Sequence, residues 1–140
     1  MGFELRFVPR AMLESLWPEL APRLEEALHH SAGESQIEDI HQLLREAKMQ
    51  GWAIVDRRNE AIVGAGATRV TQYPRLMSMD IYLLEGEDME VWADTIFQQF
   101  WDKCRMMRCD LMRFFGREGW RRKAPRFGFK PQYCVMTRDV

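Results

Sequence analysis

The stretch YLLEGEDMEVW, Tyr82 to Trp92, gathers four carboxylates, Glu85, Glu87, Asp88 and Glu90, where a strand-like run gives way to a helix-like one. A strand-turn-helix junction is a natural anion site, because the first backbone N–H groups of the helix lack partners and the helix dipole favours negative charge there. Carboxylates in that position do the opposite of inviting phosphate: they satisfy the dipole themselves, and Asp88 stands where a capping residue belongs. Asp80 and Glu85, on or just after the strand, are the candidates for a general base. A lone strand carboxylate is more often merely solvated.

The second feature with chemical content is basic. Residues 1–100 hold nine Lys/Arg against seventeen Asp/Glu, whereas residues 101–130 hold ten against three. Arg117, Arg121, Arg122, Lys123 and Arg126 surround Trp120 in a Gly-flanked turn. Arginine forks with interleaved aromatics suit an acidic protein partner or a nucleic-acid backbone. The plainer alternative is a face that pairs with the acidic half of the same molecule. His29, His30 and His41 lack ligand spacing, and Cys104, Cys109 and Cys134 form no C-x-x-C pair, so neither a metal site nor a disulfide framework is expected. Gly64-Ala65-Gly66-Ala67 sits in a strand rather than opening a helix, which points to close backbone approach or a bulge and not to dinucleotide binding.

The elements that must position these residues follow from periodicity. Glu4–Arg10 reads as a first strand, and apolar residues from Met12 to Leu28 recur at helical spacing, with Pro18 and Pro22 expected to break the run. Ile37 to Ala47 is a second helix, closing near Gly51. Trp52–Asp56 and Ala61–Val70 form a hairpin, with Leu76–Leu84 beside them. Met89 to Met107 is a long helix whose apolar face, Trp92, Ile96, Phe97, Phe100 and Trp101, belongs to the core. A strand at Cys109–Phe115, a short helix within Gly119–Phe127 and a last strand at Tyr133–Thr137 complete the chain. The expectation is one α/β (α+β) domain spanning residues 1–140, a mixed and mostly antiparallel sheet with helices on both faces. No apolar run approaches the roughly twenty residues of a membrane span, and no signal peptide is evident, so an intracellular protein is expected.

This order, with Ile62-Val63-Gly64 in the hairpin and the late Gly128-Phe129, resembles the GNAT superfamily of N-acetyltransferases. Gly116-Arg117, Gly119-Trp120, Arg122 and Gly128-Phe129 also look like the C-terminal part of a divergent GNAT-like group encoded by tailed bacteriophages. The resemblance implies an acetyl-CoA cleft beside a splayed strand, Met77–Leu84, with Leu83, Leu84, Gly86, Asp88 and Met89 at the cofactor positions. It also implies departures. The superfamily's pyrophosphate turn is richer in glycine and begins with Gln or Arg, whereas Leu84-Glu85-Gly86-Glu87-Asp88-Met89 has one glycine and neither of those residues. The superfamily's tyrosine acid, four residues before the late Gly-Phe, falls on Ala124, and its asparagine falls near Arg117. The resemblance therefore implies a degenerate site with no cofactor expected, a binding or virion-associated role and a protein partner, with nucleic acid possible through residues 101–130. The alternative is an acetyl-CoA-dependent N-acetyltransferase acting on a small amine or a protein amine.

Overall fold

The computed structural model describes residues 2–140. Its element order is β1 (Phe3–Val8), α1 (Arg10–Leu28), α2 (Ile37–Arg45), β2 (Gln50–Asp56), β3 (Ala61–Gln72), β4 (Met77–Gly86), α3 (Met89–Met106), β5 (Leu111–Phe114) and α4 (Trp120–Lys123), which runs into a 3-10 turn at Ala124–Phe127. The five strands lie side by side in chain order. Each neighbouring pair from β1 to β4 is antiparallel, and β5 joins β4 in parallel after the α3 crossover.

The sheet separates two apolar layers. On one face α3 contributes Trp92, Ile96, Phe97 and Phe100, which pack on Trp52, Ile54, Met79 and Ile81. On the other, Leu13, Leu20 and Leu24 of α1 and Ile40 and Leu44 of α2 pack on Val55, Ala65, Ala67 and Leu83. Full burial of each such large side chain is worth about 1.5–3 kcal/mol. Trp101 departs from its expected place, standing 45% exposed on the outer side of α3.

The Gly-Ala alternation of β3 now has a mechanical reason. A Cβ on Gly64 would lie 2.9 Å from the Trp92 ring and one on Gly66 would lie 3.7 Å from Phe100, so the glycines admit the α3 aromatics while Ala65 and Ala67 face α1. A bulge between Ile54 and Val55 adjusts the register beside them.

Three sequence expectations need correction. The run containing Pro18 and Pro22 is one continuous helix. The two prolines stand four residues apart on the exposed side, where water can serve the carbonyls they leave unbonded, and burial of Leu20 and Leu24 holds the opposite side. The second helix ends at Arg45, just before a positive-φ Ala47, and Gly51 is inside β2. Residues 133–137 form no strand: Tyr133, Val135 and Met136 are 70–89% exposed.

Candidate functional site at the open end of strand β4

Parallel pairing of β4 with β5 runs from Ser78↔Leu111 to Ile81↔Phe114, and the Phe115 N–H donates to the Ile81 carbonyl at 3.0 Å. Beyond Ile81, β4 continues to Gly86 while β5 has ended, so a wedge opens between β4 and the segment that follows β5. At the same point β4 bulges. Leu83 pairs with Ala67 and Ile81 with Thr68, leaving Tyr82 without a β3 partner and sending both Tyr82 and Leu83 toward the α1 layer. Tyr82 stacks on Phe115 at 4.6 Å between ring centroids with 9° between planes, and Arg69 covers the Tyr82 ring at 5.3 Å. A cavity of about 30 Å³ is left in the wedge beside Leu84, Phe114 and Gly116. Outward of it lies an open cavity of about 500 Å³ bordered by Arg23, Glu26, Glu85, Glu87 and Arg117.

The acidic junction is tied down by arginine. Arg23 of α1 makes two bonds to Glu87, Nε to Oε2 at 2.9 Å and Nη2 to Oε1 at 2.6 Å. Further donors go to the backbone carbonyls of Glu19 (2.6 Å) and Ile62 (3.0 Å), and the Glu19 carboxylate lies 3.6 Å from Nη1. These bonds to Arg23 hold the Glu87 carboxyl below its ordinary range, and Glu87 in turn raises Arg23. Glu90 is met by Lys123 at 3.2 Å. Asp88 occupies the N-cap position of α3 in the left-handed region (φ 53°), with no capping bond from its side chain, so the expected self-capping through Asp88 is not made. The Glu87 carbonyl instead accepts from the Trp92 indole at 2.8 Å, which anchors the first turn.

The remaining cofactor positions have structural duties. Gly86 lies so close to β3 that a Cβ there would sit 2.2 Å from the Val63 carbonyl oxygen. Leu83 and Leu84 are buried on opposite faces of the sheet, and Met89 packs against the α3 layer. Of the two candidate bases, Glu85 borders the open cavity and Asp80 does not. Asp80 is fully buried, accepting from Arg113 at 2.7 Å on each oxygen and from the Ser78 hydroxyl at 2.6 Å. Burial pushes its carboxyl up, but Arg113 and Ser78 outweigh that and hold it below the usual range.

The basic segment divides. Trp120 belongs to an aromatic cluster, edge-on to Phe97 at 5.8 Å and to Phe114 at 5.2 Å, with Phe127 and Phe129 beside them. Arg117 approaches His30 at 2.7 Å, and Arg121 lies 3.6 Å from Glu118. Arg122 and Arg126 are exposed, with no ion pair among the described residues. Neither Arg23 nor the Tyr82–Phe115 stack was identified from sequence. Arg23 is signalled there only by its Glu19 neighbour at helical spacing, and the stack by nothing local.

Sequence comparisons with family models and with curated proteins return no match. Solved structures do match. An aminoglycoside acetyltransferase from an uncultured soil metagenomic sample superimposes with a TM-score of 0.72 at 12% identity, covering 100% of this chain and 99% of that one. This observation decides the fold. The chain has the fold of GNAT-family acetyltransferases. A GNAT family acetyltransferase from Staphylococcus aureus gives 0.68 at 11% identity with both chains fully covered. Glucosamine-6-phosphate N-acetyltransferase from Arabidopsis thaliana gives 0.65 at 12%, covering 99% of each. No helix of the described GNAT fold is long and apolar enough to cross a membrane.

Proposed function

We propose that this is a GNAT-fold binding protein whose acetyl-CoA site is degenerate, acting through its basic C-terminal segment on an acidic protein or nucleic-acid partner. The observation that carries this reading is the Tyr82–Phe115 stack, which occupies the wedge between β4 and β5. A space of about 30 Å³ admits a few waters at most and is not room for a pantetheine arm. The Gly116-Arg117, Gly119-Trp120, Arg122 and Gly128-Phe129 pattern supports a phage-encoded protein with a virion-associated role, made in the host cytoplasm. Exposed Arg122 and Arg126 supply charge for the contact. Calorimetric titration with acetyl-CoA at physiological salt tests the reading: no measurable binding is expected, and micromolar affinity would overturn it.

A second reading has its own support. The 500 Å³ cavity beside Glu85 is large enough for a small amine, and a carboxylate at its border supports a proton-accepting role for Glu85. On that reading the protein transfers acetyl from acetyl-CoA by direct attack of the bound amine on the thioester carbonyl, and the thiolate of CoA leaves. Two of the structural neighbours are named for amine acceptors, an aminoglycoside and glucosamine-6-phosphate. Release of free CoA thiol in the presence of an amine panel separates the two readings.

A further inference from the structure

We propose that the outer edge of β1 is a pairing surface for β1 of a second copy of this chain, and that the Gln99 side chain holds it shut in the monomer. The Gly2 carbonyl accepts from the Arg57 N–H at 2.9 Å, so Glu4, Arg6 and Val8 turn their backbone groups toward β2. Those of Phe3, Leu5 and Phe7 therefore face away from the sheet. The Leu5 N–H donates to Gln99 Oε1 at 2.7 Å, and Gln99 Nε2 donates to the Phe3 carbonyl at 2.9 Å. A carbonyl and an N–H two residues apart are what one residue of a neighbouring parallel strand engages. The carboxamide supplies the matching donor and acceptor from α3, and so stands in for that residue.

An uncovered row of N–H and C=O groups is a template for another chain, which gives the cover a purpose. The side chains of β1 select a second copy as the occupant. With Leu5 on a two-fold axis and the strands antiparallel, Phe3 stands opposite Phe7 of the second copy and Glu4 stands opposite its Arg6. The opposite charges then meet twice, at the non-hydrogen-bonded positions where cross-strand side chains come closest. In the single chain Arg6 is met by Glu4 and, at 3.0 Å, by Glu60. These are exposed pairs of small net worth, so they exchange partners readily. Phe7 is 52% exposed with its ring edge-on to Trp52 at 5.4 Å, and Phe3 of the second copy would extend that aromatic row. β1 and β5 are opposite edges of the sheet, so the inference is independent of what the β4–β5 wedge binds.

The test is sedimentation velocity of the native chain and Q99M over one concentration series. Methionine keeps the length and helix preference of glutamine without its amide. Q99M is expected to dimerise about ten-fold more tightly than the native chain or better, because two hydrogen bonds per copy no longer have to break. E4K/Q99M sets like charges across the axis and should return to monomer, whereas E4K/R6E/Q99M restores opposite charges and should dimerise again. Q99M associating no more tightly than the native chain, or a dimer that E4K does not weaken or R6E does not restore, would overturn the proposal. Should Q99M fail to fold, Q99A, with the best helix former at that position, is read by the same criteria.

Discussion

Asp80 of β4 and Arg113 of β5 are register partners across the parallel seam of the sheet, and their side chains close a bidentate ion pair with both N···O distances at 2.7 Å. Tyr73 accepts from the outer face of the guanidinium at 2.7 Å, and Tyr133 lies 3.3 Å from it. The pair therefore ties the short β5 to the body of the sheet and reaches the C-terminal segment. Replacing Arg113 by Met leaves a buried carboxylate uncompensated and is expected to cost about 3–5 kcal/mol, measured by urea unfolding. The double variant D80N/R113M should recover part of that loss. A single Arg113 variant as stable as the native chain would show that the seam does not depend on the pair.

The same pair sets a pH dependence. Because the folded carboxyl of Asp80 titrates below its unfolded value, its stabilisation is fully present above the unfolded value, near pH 4, and is lost as pH falls through the folded value. Melting temperature should fall on acidification below about pH 4, and the D80N chain should show a shallower fall over that window.

Gly86 is expected to be intolerant of any side chain. The Cβ of G86A would lie 2.2 Å from the Val63 carbonyl oxygen and 3.1 Å from the Trp92 ring, and backbone cannot yield as a flexible side chain would. Overpacking of this kind costs about 1–3 kcal/mol or more. G119A, which meets nothing within 4 Å, is the control, and chemical denaturation of the two should differ clearly.

The three thiols should react in order of exposure. Burial pushes Cys104 up to about 12 and raises Cys109, while Cys134 is exposed. The thiolate is the reactive form, so a maleimide or disulfide reagent on the native chain should label Cys134 first. Mass spectrometry should find C134S without the fast phase, and Cys104 labelled only on unfolding.

The variant R121Q/R122Q/K123Q tests the basic surface. The Arg121–Glu118 and Lys123–Glu90 pairs are exposed, and such pairs contribute about 0–1 kcal/mol each. Melting should move little, and salt-sensitive binding to an acidic partner or polyanion should weaken. Earlier melting with unchanged binding would make the surface structural.

The order of strands and helices, the hairpin around Arg57–Glu60, the long α3 and the role of the β3 glycines were legible because each rests on local spacing or on a short-range turn. The failures have one common cause. Pro18 and Pro22 weaken a helix locally, yet the buried leucines of α1 override them; residues 133–137 have strand-like composition but make no ladder.

The sequence by itself determined that carboxylates stand at the turn before α3, that no tyrosine precedes Gly128 at the expected distance, and that positive charge gathers after residue 100. Only the tertiary structure decided what those charges do. Arg23 meets Glu87 across 64 residues of chain, Arg113 meets Asp80 across 33, and a single bulge at Tyr82 turns its ring onto Phe115. Pairings of that span depend on the packing of α1 and β5 against β4, and no periodicity along the chain records which side chain a neighbouring layer will present.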